Sequence, residues 1–138
     1  DRERFDELTK ALVEQYDACE PEGLEGHHVN GALTVGENIG DLGGITIAHK
    51  AYLLSLEGDD APEIDGLTGR QRLFLGWGQV WRMATRDEEQ IRRLATDPHS
   101  PPEFRANVVR NLDEFHDAFD VQPDDGMWLD PDDRVRIW

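Results

Sequence analysis

The sequence predicts a mainly α domain. Three observations carry this. Apolar residues recur at three- and four-residue intervals in several segments. Helix-start signals stand in front of such segments. No stretch shows the strict alternation of a half-buried strand.

The elements follow in chain order. Phe5, Leu8, Leu12 and Tyr16 keep helical spacing, so residues 2 to about 18 form an amphipathic helix. CEPEGLEGHH, 19–28, is polar and turn-rich, a loop. One long helix follows from about 36 to 57, spanning about 33 Å. Ile45, Ala48, Tyr52 and Leu56 line one of its faces, which Ile47, Ala51 and Leu54 widen. Gly40, Gly43 and Gly44 lie inside it. Interior glycines cost a helix about 1 kcal/mol each, so they suggest close approach by another element.

EGDDAPEIDGL, 57–67, is an acidic loop. Thr68 with Gln71 fits a capping box, opening a helix from about 69 to 84 with Leu73, Trp77, Val80, Trp81 and Ala84 on one side. Thr85 with Glu88 fits a second box, before a short helix that ends near Asp97-Pro98. HSPP, 99–102, is a rigid loop, after which Phe104, Val108, Leu112, Phe115 and Phe119 hold helical spacing. The tail is turn-rich and closes on an aromatic residue. There are no repeats and no low-complexity segment.

The chain has 138 residues, which suits one domain. Thirty acids against fourteen bases leave a formal charge of −16. Such a field repels nucleic acid and anionic membranes. No apolar run is long enough to span a bilayer, and no signal peptide is present. Cys19 is the only cysteine, so no internal disulfide forms.

The chemistry-bearing stretch is GENIGDLGG, 36–44. Glu37 and Asp41 lie one turn apart on one helix face. Like charges at this spacing destabilise a helix by roughly 0.2–0.5 kcal/mol, so a cation is expected against them. Two arrangements satisfy that. One is an exposed acidic turn matched by a Lys or Arg. The other is a metal-binding carboxylate followed by an acid that orients a second ligand. His27 and His28, nine and ten residues before Glu37, lack ligand spacing. His49 and His116 suit helix surfaces, and the acid clusters at 57–60 and 130–133 suit solvated turns.

VNGALTVGENIGDLGGITIAHKAY resembles the glutamate-helix signature of the neprilysin (M13) family of zinc metallopeptidases. WGQVWRMATR, 77–86, is similar to the family's segment ending in Val-Trp. DPHSPPEFR, 97–105, is similar to its His-Ser-Pro…Phe-Arg segment, and RIW to its closing Arg-aliphatic-Trp. The four fall in the family's order from about residue 11 to 138.

The resemblance implies the helical C-terminal part of a thermolysin-like (gluzincin) catalytic domain. It implies zinc, one ion in the full-length enzyme, and peptide substrates. Glu37 matches the third protein ligand of the zinc. Asp41 matches the acid that holds a zinc-binding His. His99 matches the oxyanion-stabilising His, and Arg105 the Arg that binds a substrate carbonyl. Val80 and Trp81 match walls of the pocket for the side chain after the scissile bond. Asn30 and Ala32, placed just before the helix, lie in a matching stretch without an assigned role.

One family element is absent from these 138 residues: H-E-x-x-H, which supplies two zinc ligands and the general base. The expectation is therefore that residues 1–138 are a C-terminal fragment of the catalytic domain, inactive and not retaining zinc alone. Its missing cation would be the zinc and its two histidines. The remainder of the parent polypeptide would cover its exposed apolar faces, with self-association as the substitute cover. Vertebrate relatives carry cysteines near the positions of Ala11 and Val135, and both are missing here. That favours a bacterial-type member and a cytoplasmic location, although a secreted or membrane-anchored parent is also compatible. The rival reading is a non-catalytic helical interaction module derived from a peptidase.

Overall fold

The computed structural model describes residues 1–137, so the closing Trp138 of the RIW motif lies outside it. Six α-helices follow one another: α1 (Arg2–Asp17), α2 (Gly31–Ser55), α3 (Gly69–Val80), α4 (Asp87–Thr96), α5 (Pro102–Ala106) and α6 (Asp113–Phe119). Two 3-10 turns, Asn107–Asn111 and Pro131–Asp133, complete the set. Among the described residues there is no strand, only one isolated antiparallel bridge between Ile64 and Leu67. Among the described residues no helix is long and apolar enough to cross a membrane.

α2 is the spine. It has 25 residues and begins at Gly31, five residues before the expected start. Asn30 is its N-cap, accepting from the Leu33 amide at 3.0 Å, and Ala32 belongs to its first turn. Gly31 and Gly36 lower the helical signal there. A close approach occurs at Gly31, ahead of the interior glycines, of which Gly43 is buried. A Cβ on Gly31 would lie 2.3 Å from the Val13 carbonyl oxygen, and its amide donates to Asp17 Oδ1 at 2.7 Å. Gly40 and Gly44 face open space. Around them Leu33, Ile47 and Leu54 are exposed, so α2 is apolar on a second face that this chain leaves uncovered.

The inner face of α2 packs Leu42 and Ile45 against Leu12, Phe74, Val108 and Phe115. The Thr68–Gln71 capping box forms in both directions, at 2.9 and 3.2 Å. α3 stops at Val80, short of the expected 84, with Trp81 as its C-cap. The Thr85–Glu88 box does not form, because α4 starts one residue later with Arg86 at its N-cap. Asp87, Glu88 and Glu89 fill its first turn, where negative charge complements the helix dipole.

The spacing from Phe104 to Phe119 is not one helix. Leu112 is extended, at φ −101° and ψ 120°, and divides it. The cause is Asn111, a buried side chain that bonds with Gln15 at 3.0 and 3.1 Å and accepts from the Val135 amide at 2.8 Å. These bonds tie α1 to the tail and require the backbone to turn there.

His49 and His116 are buried, not on helix surfaces. His49 stacks on Phe74, Phe74 meets Phe115 edge-on, and Phe115 meets His116 edge-on. Burial pushes both imidazoles below the ordinary histidine range, outweighing the pull of Glu114 on one and of the Arg110 carbonyl on the other. Each is therefore neutral when folded and binds protons more readily when unfolded. Their contribution is complete above the ordinary histidine pKa of about 6.5 and is lost as pH falls from there through the lower folded values. Urea midpoints should drop between pH 7.5 and 5, and His49→Phe should flatten part of that slope. An unchanged slope in the variant would exclude His49 as a cause.

Candidate active site

Three elements meet at the N-terminal half of α2. α2 presents Glu37 half-exposed and, one turn on, Asp41 buried. The loop between α4 and α5 carries His99, and α5 carries Arg105.

Asp41 finds its cation within the chain. Arg105 Nε and Nη2 donate to the two Asp41 carboxylate oxygens at 2.7 and 2.8 Å. The two side chains are only 17% and 8% exposed, so this is a fork-on-fork pair in a mostly dry place. The Arg105 guanidinium also lies 4.0 Å over the Trp81 ring. His99 Nε2 is 3.4 Å from Glu37 Oε2. The expectation that the missing cation is a zinc with its two histidines is corrected for Asp41, whose two oxygens each receive an Arg105 donor.

The loop is braced from both sides of His99. Its ring Nδ1 lies 2.8 Å from Asp97 Oδ1, and its amide donates to the same oxygen at 2.9 Å. Those bonds hold the Asp97 carboxyl below the usual range. Beyond His99, Ser100 Oγ donates to Asn38 Oδ1 at 2.8 Å. Pro98, Pro101 and Pro102 restrict the backbone between and after them.

The backbone around Arg105 is held too. Tyr16 donates to the Phe104 carbonyl and Trp77 Nε1 to the Arg105 carbonyl, each at 3.3 Å. Burial, and secondarily the Asp41 charge, push the Tyr16 phenol well above its usual range, so it stays a donor.

A cleft of about 250 Å³ opens beside these groups, with Trp81, Met83, Leu94, His99, Pro101 and Arg105 in its wall. Trp81 thus joins the other predicted residues. Val80 is 69% exposed at the end of α3 and lines none of the described cavities. Sequence reading missed Asn38, Asp97, Ser100, Tyr16 and Trp77. Asn38, Asp97 and Ser100 stand within the quoted motifs, next to or near the residues they hold. Tyr16 and Trp77 had the signature of plain core.

Glu37 has the chemistry of a zinc ligand: a carboxylate on a half-open face. It is one ligand, not a set. Among the described residues no group of three or more His, Cys, Asp or Glu side chains could hold a metal.

The model of peptidase family M13 matches residues 1–135. The chain belongs to that family. Neprilysin-1 of Caenorhabditis elegans is 40% identical over 98% of this chain and 18% of its own length. The neutral endopeptidase of Lactococcus lactis subsp. cremoris is 37% identical over 100% of this chain and 20% of its own. The crystal structure of the zinc metalloprotease Zmp1 of Mycobacterium tuberculosis, bound to an inhibitor, superposes with a TM-score of 0.96 at 61% identity. That match covers 100% of this chain and 22% of Zmp1. The chain therefore spans about a fifth of the length of these M13 relatives and has the mainly α fold of the family's C-terminal part.

Proposed function

We propose that this chain contributes one wall of the active site of a zinc-dependent endopeptidase acting on oligopeptides. The convergence of Glu37, Asp41, His99 and Arg105 carries the reading. They come from three elements, and a plain scaffold has no need to gather all four.

Glu37 would give one oxygen to zinc. Zinc held in such a site lowers the pKa of a bound water to about 7 and polarises a carbonyl. The other ligands and the general base come from sequence outside these 138 residues, because no H-E-x-x-H occurs in them. The 138-residue chain alone is therefore inactive in this reading. His99 donates from Nε2 to the oxyanion that forms on the attacked carbonyl, its ring held at Nδ1 by Asp97. Asp41 anchors Arg105, and each of its oxygens keeps a lone pair for a ligand His. Arg105 spends Nε and Nη2 on Asp41, so Nη1 is the donor for a substrate carbonyl. Trp81 backs Arg105 and bounds the pocket for the side chain after the scissile bond. The uncovered face of α2, from Leu33 to Leu54, packs against the remainder of the polypeptide.

Arg105→Ala tests this in the full-length polypeptide. KM for an oligopeptide should rise by the equivalent of about 1–3 kcal/mol of lost charged hydrogen bonding, with kcat falling less. An unchanged KM would remove Arg105 from the substrate site.

A further inference from the structure

Asn38 follows Glu37 in α2, and Ser100 follows His99 in the loop. Ser100 Oγ donates to Asn38 Oδ1 at 2.8 Å across 62 residues of sequence. Both are sealed from water, at 0% and 3% exposure. The acceptor is itself aimed. Asn38 Nδ2 donates to Thr34 Oγ1 at 3.0 Å, and Thr34 Oγ1 donates to the Asn30 carbonyl at 3.1 Å. A line of hydrogen bonds thus runs from the N-cap of α2, along two of its turns, to the loop that carries His99.

Stability does not call for this line. A buried neutral hydrogen bond adds little net, and an apolar pair of the same shape can be nearly neutral. What the bond supplies is register. Its length and direction are narrow, so it limits where the two neighbouring residues can stand. We propose that Asn38 and Ser100 are positioning residues that set the distance between the His99 imidazole and Glu37. This rests on the reading of Glu37 and His99 given above. The division of labour is clear in the contacts: Asp97 sets the rotation of the His99 ring, and Ser100 sets its place over α2. An oxyanion donor is useful only at a set distance from the metal ligand.

The test uses Ser100→Ala, Asn38→Leu and the double variant in the full-length polypeptide. Ser100→Ala should lower kcat about 10- to 100-fold, the cost of a misplacement near 1 Å, with KM and zinc content little changed. Its unfolding midpoint should also fall, because Asn38 Oδ1 is left buried without a donor. In the double variant the midpoint should recover while kcat stays low. An undiminished kcat in Ser100→Ala, or a kcat that recovers with the midpoint, overturns the proposal. His99→Ala with full kcat would instead sink the oxyanion role of His99. The crystal structure of the Ser100→Ala variant then decides this inference separately. The 3.4 Å separation of His99 Nε2 from Glu37 Oε2 should lengthen, and an unchanged separation overturns it.

Discussion

Glu37→Ala in the full-length polypeptide should abolish zinc retention and peptide hydrolysis together. A lost ligand costs more than the roughly 10–100-fold expected for a group that only supports one. Folding should hardly notice. Glu37 is 48% exposed, and the His99 imidazole lies 3.4 Å from it. Exposed substitutions of this kind move stability by about 0.5 kcal/mol or less. Zinc content by atomic absorption, hydrolysis of a fluorogenic peptide and the urea midpoint should therefore separate cleanly. Metal and activity vanish, while the midpoint matches that of the unmutated protein stripped of zinc, because bound metal itself stabilises the folded state. Normal activity in this variant would end the assignment of Glu37.

Asp41→Ala has the opposite signature and should be the most damaging single change to the chain's stability at this site. It strands the Arg105 guanidinium at 17% exposure, over Trp81 and away from most water. Removing one partner of a buried pair costs about 3–5 kcal/mol, chiefly because the other charge stays buried alone. For a chain of 138 residues that is a large share of a total of about 5–15 kcal/mol. The double change Asp41→Ala with Arg105→Ala should recover part of the loss, since no uncompensated charge remains. Urea unfolding of Asp41→Ala, Arg105→Ala and the double variant measures this. A cost under about 1 kcal/mol for Asp41→Ala would mean that the pair is not what fastens α5 to α2.

Elements with local signals were legible in the sequence. The Thr68–Gln71 box opens α3 as read, and α4 ends at Thr96, before Asp97-Pro98. Elements governed by distant partners were not. The start of α2 hides behind Gly31, a residue poor for helices but needed where Val13 passes close. The break at Leu112 leaves the apolar spacing intact, because it answers to Asn111 and its bonds with Gln15 and Val135. Burial of His49 and His116 depends on which neighbours close over them. The site divides in the same way. The family motifs named Glu37, Asp41, His99, Arg105 and Trp81 one by one. Asn38 and Ser100 carried no signal apart from lying inside those motifs.

By itself, then, the sequence determined the helical class, the capping box of α3, the acidic charge and the kinds of side chain at each motif position. Those are properties of residue type and spacing over a few turns. Only the tertiary structure decided which cation meets which acid. Asp41 and Arg105 are 64 residues apart, and their pairing needs α5 laid against α2 with both side chains drawn out of water. A planar guanidinium and a carboxylate attract strongly only at such short range and low hydration, and no local pattern encodes that meeting.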